Sequence, residues 1–189
     1  MSRIHPRTRL VPCVLAVAAA LLLAAPGGAR ASEPYTFTVL LEGSLGGPLQ
    51  ESEGSDSGLD NSGFQLGFSV VSKGDIHIGG RLGSIDFDEG LGGLSDVSLD
   101  YVNLGGEYRF HEGFYDSGVY FGLGNYEIEG RDGAGGVTTD DSIGLALGVT
   151  GEFEVTPKVG IMLELTSHIT DLATEELFLT GHVGVAIHF

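Results

Sequence analysis

The sequence predicts an all-β chain, a single eight-stranded antiparallel up-and-down β-barrel, and three observations predict it. After Ser32, apolar residues recur with period two and helical spacing is hard to find. Eight segments carry that alternation, each near the ~9–11 residues of a tilted barrel strand. The connections between them alternate between short and long, as neighbouring antiparallel strands in a closed meander require.

The N-terminal residues are set apart first. Arg3, Arg7 and Arg9 precede an apolar run, "LAVAAALLLAA" from Leu15 to Ala25, and "ARA" at Ala29–Ala31 has the small-x-small form of a cleavage site. Residues 1–31 are therefore expected to be a secretory signal peptide cut before Ser32. Cys13 follows Pro12 at the start of the apolar run, where a lipid-acceptor cysteine would not lie, and no cysteine remains after it. The domain, residues 32–189, is then built without disulfides.

The first segment, "YTFTVLLEGSL", sets Tyr35, Phe37, Val39, Leu41 and Leu45 against Thr36, Thr38, Glu42 and Ser44. The second, "GFQLGFSVV", sets Phe64, Leu66, Phe68 and Val70 against Gln65, Gly67 and Ser69. A tight turn at Ser72–Gly74 leads to the third, "DIHIGGRLG", with Ile76, Ile78 and Leu82 opposing His77, Gly79, Arg81 and Gly83. The fourth, "YVNLGGEYRF", sets Val102, Leu104, Tyr108 and Phe110 against Tyr101, Asn103, Glu107 and Arg109. In the fifth, "GVYFGLGNY", Val119, Phe121 and Leu123 oppose Tyr120, Gly122 and Gly124.

The sixth, "GLALGVTGEFEV", sets Leu145, Leu147, Val149, Phe153 and Val155 against Ala146, Thr150, Glu152 and Glu154. After a short turn at Thr156–Lys158, the seventh, "VGIMLELTSH", opposes Val159, Ile161, Leu163 and Leu165 to Met162, Glu164, Thr166 and His168. The eighth begins at Leu177 and ends in "GHVGVAIHF". The long connections are acidic and glycine-rich: Gly46–Ser62, Ser84–Ser95, Glu127–Asp140 and Ile169–Glu176.

Charge patterning then decides which face is the inside. The bulky apolar face carries no Asp, Glu, Lys, Arg or His, whereas the opposite face holds Glu42, His77, Arg81, Glu107, Arg109, Glu152, Glu154, Glu164, His182 and His188. A soluble lipocalin-like barrel alternates as well, with its apolar face inward. Two features favour the inverted arrangement. The polar face is rich in glycine, which suits the cramped interior of a narrow barrel. Aromatic residues gather at the turn-side strand ends, at Tyr35, Phe37, Tyr108, Phe110, Phe153 and Phe189, as an interfacial girdle would. The predicted class is thus an eight-stranded antiparallel up-and-down transmembrane β-barrel.

The hairpin "GLALGVTGEFEVTPKVGIMLELTSH" and the terminal "VGVAIHF" resemble small outer-membrane β-barrels of the OmpA/OmpX/OmpW type. That resemblance implies location in a bacterial outer membrane and contact with its lipid and lipopolysaccharide. It also implies that Val183, Val185, Ile187 and Phe189 form the C-terminal signal read by the barrel-assembly machinery. Unlike OmpA itself, no periplasmic cell-wall-binding segment is expected after Phe189.

Composition excludes other classes. After Ser32 only Lys73, Arg81, Arg109, Arg131 and Lys158 are basic, against 26 acidic residues, which disfavours nucleic acid. With 42% apolar residues, disorder is also disfavoured. The inward residues Glu42, His77, Arg81, Glu107, Arg109, Glu152, Glu154, Glu164 and His182 are expected to form an interior polar network in place of an apolar core, because buried charges must pair. A proton or cation path is the alternative use of that network.

No metal, cofactor or catalytic residue is predicted. The acid-rich stretches Gln50–Gly63 and Ser84–Asp96 do not fit a twelve-residue calcium loop, and bridging of divalent cations to lipopolysaccharide is their functional alternative. Ser167 and His168 are adjacent on a strand, so they point to opposite faces and cannot form a nucleophile–base pair. The expected protein is a monomeric, non-enzymatic barrel with a structural, adhesion or surface-interaction role. A lipid A deacylase-like enzyme and a narrow small-solute channel are the alternatives.

Overall fold

The period-two segments fold as eight strands in the computed structural model, which describes residues 37–49, 59, 61–73, 75–87, 90–112 and 115–189. The strands are β1 (Phe37–Pro48), β2 (Asn61–Lys73), β3 (Ile76–Phe87), β4 (Ser95–Glu112), β5 (Tyr115–Arg131), β6 (Val137–Thr156), β7 (Val159–Ile169) and β8 (Leu177–His188). Each pairs antiparallel with its sequence neighbour, and β8 closes on β1 through Thr38↔His188 to Pro48↔Phe178. Closure leaves no strand edge inside the ring, so its backbone donors and acceptors satisfy one another. The expected signal peptide, Tyr35 and most of the stretch 50–63 lie outside the described residues.

The apolar stripe faces outward. Leu104 is 64% exposed, and Ile78, Val102, Val119, Phe121, Val149, Leu163 and Val183 are exposed beside it. In water this belt would far exceed the few hundred Å² of apolar patch that soluble monomers tolerate. Near the short-turn end the belt is bordered by rings: Phe37 with Phe189 (6.1 Å between centroids), Tyr108 with Phe110 (4.8 Å) and Tyr115 with Phe153 (4.7 Å). The terminal residues divide: Val183 and Phe189 are exposed, Val185 is half-buried, and Ile187, between Val39 and Val159, is buried.

Two expected long connections are partly strand. β3 runs on to Phe87 and β4 starts at Ser95, while β5 and β6 continue to Arg131 and from Val137. In the first, Leu91 and Leu94 bridge a tight turn, and Gly90, Gly92 and Gly93 take positive φ (84°, 59° and 80°). That conformation is open to glycine at little cost, and it tucks Leu91 inward, where it is buried.

These extensions reverse the polarity of the two faces. Below the reversal, outward Leu82, Val102, Leu123 and Ile143 are apolar. Above it, outward Ser84, Asp100, Glu127 and Asp141 lie side by side across four strands. The inner face changes the opposite way, and Ile85, Phe87, Leu91, Val97, Leu99, Tyr101, Tyr126, Ile128, Leu172 and Phe178 form one buried apolar cluster. An apolar plug therefore closes the long-loop end above a polar lumen.

Candidate functional site

The lumen below the plug is the candidate site. Alternation turns every second side chain of each strand into it, and glycines make room for the large ones. A Cβ at Gly83 would collide with the Tyr101 ring, and one at Gly160 with the Glu152 carboxylate.

Two buried arginines link three carboxylates. Arg109 contacts Glu152 through Nη1 (2.8 Å) and Glu107 through Nε (3.0 Å). Arg81 contacts Glu107 through Nη2 (3.3 Å) and Glu164 through Nε (3.2 Å), with its guanidinium carbon 4.8 Å from the centre of the Tyr120 ring. Each carboxylate has further donors or partners. Thr150 Oγ1 donates to Glu107 (2.7 Å), Thr166 Oγ1 donates to Glu164 (2.8 Å), and His188 Nε2 meets the second oxygen of Glu152. Such saturation is what offsets the cost of removing charges from water.

The chain of contacts runs the length of the lumen. At the short-turn end Thr38 Oγ1 bonds His188 Nδ1 (3.0 Å). Further up, Gln65 Nε2 donates to Glu42 (2.8 Å) and Glu164 (3.3 Å), and Tyr101 donates to Gln65 Oε1 (2.8 Å). A second branch joins Ser44, His182, Thr180, His168 and Tyr126 through contacts of 2.7–3.0 Å. A small apolar group, Leu40, Met162 and Ala186, lines one wall.

Of the network residues read from sequence, Glu42, Arg81, Glu107, Arg109, Glu152, Glu164 and His182 are brought together, and His77 is buried in the same lumen. Glu154 is not part of it. Its side chain is exposed at the rim, because the β6–β7 register shifts between Glu154 and Thr156 and the strand leaves the regular ladder there. Ser167 and His168 do point apart, with His168 buried inside and Ser167 on the outer face. The Ser44–His182 hydrogen bond (2.7 Å) joins strands at opposite ends of the chain. Their inward positions were legible from alternation, but their pairing depends on the β1–β8 closure.

No protein-family model matches the chain, and no curated protein matches it in sequence. Solved structures do match it. Neisserial surface protein A (NspA) aligns with TM-score 0.65 at 14% identity, covering 81% of this chain and 97% of that one. A major outer membrane protein from Thermus thermophilus aligns with TM-score 0.61 at 13% identity, covering 82% and 99%. Ail, the attachment invasion locus protein of Yersinia pestis, aligns with TM-score 0.56 at 17% identity, covering 82% and 97%. The chain therefore has the fold of the small eight-stranded outer-membrane β-barrels.

Proposed function

We propose that the protein is an integral β-barrel of a bacterial outer membrane, exported by its N-terminal signal, with a structural, adhesion or surface-interaction role. One observation carries this reading: the ring turns its apolar belt outward and its charges inward, the reverse of what water selects. The aromatic pairs at the short-turn end then sit at the periplasmic interface, and the acidic long-loop end faces the outside. Fold neighbours include a surface protein and an attachment invasion locus protein, in keeping with that role.

The lumen reads as structural. Its two arginines pair with Glu107, Glu152 and Glu164, and the apolar plug stands across any conduit. Ser44 and His182 are buried beneath that plug, so we read the barrel as non-enzymatic. Lipid and lipopolysaccharide are its surroundings, the barrel-assembly machinery reads Val183, Val185, Ile187 and Phe189, and the working form is a monomer.

The test is topology in whole cells. A cysteine placed at Ala134 should react with a membrane-impermeant maleimide, and one at Lys158 should not. Equal labelling of both sites, or a chain that stays compact and dispersed in water without detergent, overturns the reading. Planar-bilayer conductance and a lipid-hydrolysis assay separate the channel and enzyme alternatives, and comparing surface binding with and without the gene tests the interaction role.

A further inference from the structure

The apolar belt is not evenly filled. A groove of about 940 Å³ crosses its outer face from β1 over β8, β7 and β6 to β5 and β4. Gly43, Gly181, Gly151 and Ser117 open it, and Leu45, Leu165, Leu163 and Val149 stand along it. Gly43 and Ser117 belong to one ladder row, joined through Val183, Leu163 and Gly151. Gly43 lies in the middle of β1, whereas Ser117 lies near the short-turn start of β5. Because barrel strands are tilted, the groove slants from the middle of the wall down to the short-turn border. Glu164 and His182 also border it, but their side chains are buried in the lumen.

Packing within the barrel does not account for two of these glycines. A Cβ at Gly43 would have the Val183 carbonyl oxygen as its nearest contact, at 3.9 Å, and one at Gly181 would have Leu59 Cδ1, also at 3.9 Å. The lumen glycines differ, since a Cβ at Gly83 or Gly160 would collide with a neighbour. Glycine weakens a strand interior and often marks a place where another group approaches the backbone closely. At the lower end of the groove, Tyr115 packs its ring against Phe153 and brings its hydroxyl over Gly151, 2.7 Å from where a Cβ would stand. The groove therefore has apolar walls and one hydroxyl donor, placed at the short-turn border.

We propose that this groove seats one acyl chain of an inner-leaflet phospholipid, with the Tyr115 hydroxyl donating to the ester carbonyl of that chain. The inference rests on the membrane reading above, which puts the short-turn border at the inner leaflet. The donor and the ester then lie at the same level, and the chain rises from there along Leu163 and Val149 towards Gly181. An outer-leaflet lipid would bring its esters to the other end, beside Leu45 and Leu59, which offer no side-chain donor. A second copy of this chain is a poor occupant. Two copies meeting groove to groove would leave the recess between them, whereas a stable dimer needs about 800 Å² of closely fitted surface per partner.

The test uses the full chain in nanodiscs of a phosphatidylcholine that carries a diazirine midway along one acyl chain, with cross-linked residues located by mass spectrometry. Labelling should concentrate at Val149, Leu163 and Val183 over Ile78 and Leu82, which are exposed on β3 across the ring. The double variant Gly43→Leu, Gly181→Leu fills the groove where space is open, and should bring its labelling down to the level of β3 without changing β3 itself. The ether-linked lipid, which lacks the carbonyl, should label the groove less than the ester, and Tyr115→Phe should erase that difference. Even labelling around the belt, groove labelling indifferent to the two leucines, an ester–ether difference that survives Tyr115→Phe, or a cross-linked dimer through the groove overturns the proposal and leaves the membrane reading intact. A chain that does not insert overturns that reading, and this inference with it.

Discussion

Nη1 of Arg109 lies 2.8 Å from Oε2 of Glu152, and both side chains are buried inside the ring. They come from β4 and β6, with β5 between them, so the contact bridges over β5 on the inner face of the ring. Arg109→Ala would leave Glu152 with His188 alone and remove a partner from Glu107. The expected loss is about 3–5 kcal/mol, because an uncompensated buried charge remains. Urea unfolding of the refolded barrel in lipid measures it.

The lumen glycines are predicted to matter through their neighbours. At Gly83 a methyl group meets the Tyr101 ring, whose hydroxyl holds Gln65 at 2.8 Å. Gly83→Ala should therefore cost about 1–3 kcal/mol by overpacking, and Tyr101→Phe should not relieve it, since the clash includes ring carbons. The double variant, unfolded alongside both single ones, checks this.

Phe121 and Glu127 share the outward face of β5 but lie on opposite sides of the polarity reversal. Phe121→Lys should destabilise the barrel by about 2–4 kcal/mol, whereas Glu127→Lys should change it by only about 0–1 kcal/mol. Equal effects in bilayer unfolding would place the membrane boundary elsewhere.

Phe178 is fully buried in the plug, 6.2 Å from the ring of Phe87. Phe178→Ala should cost about 3–5 kcal/mol through lost transfer energy and the cavity left behind. Amide exchange should rise at Ile85, Leu99 and Ile128 before it rises at the membrane rows.

Glu175, in the β7–β8 connection, is held above the usual carboxylate range, chiefly because burial penalises its charge. A carboxyl whose folded pKa is raised contributes stability below its unfolded pKa, near ~4.3, and loses it as pH rises through the folded value. Glu175→Gln should therefore unfold at slightly higher urea than the parent at neutral pH, with a flatter profile above that range. A steeper profile in the variant would show the opposite sign.

Strand number, order and face were legible because alternation of Leu, Val and Phe with Gly and polar residues persists through every membrane row. The upper strands were not. At Ile85 and Phe87 the apolar residues keep period two but change sides relative to Ile78 and Leu82, and their glycine-rich surroundings suggest a loop. Glu127–Arg131 conceals its alternation in the same way, since Ile128 alone is bulky and apolar there. Seven of the network residues converge as their inward parity implies. Glu154 has that parity too, but the register shift beside it lies in backbone pairing that one strand's sequence does not encode.

The exchange of sides between Leu82 and Ser84, and between Ile143 and Asp141, fixes how high the molecule rides. Sinking by one residue pair would carry Asp100, Glu127 and Asp141 together into acyl chains, and rising would strip lipid from Ile143. Either shift is penalised on several strands at once, so vertical drift is resisted from both directions. A sheet of unsuitable thickness must pinch or swell to meet the barrel, rather than the barrel settling to meet the sheet.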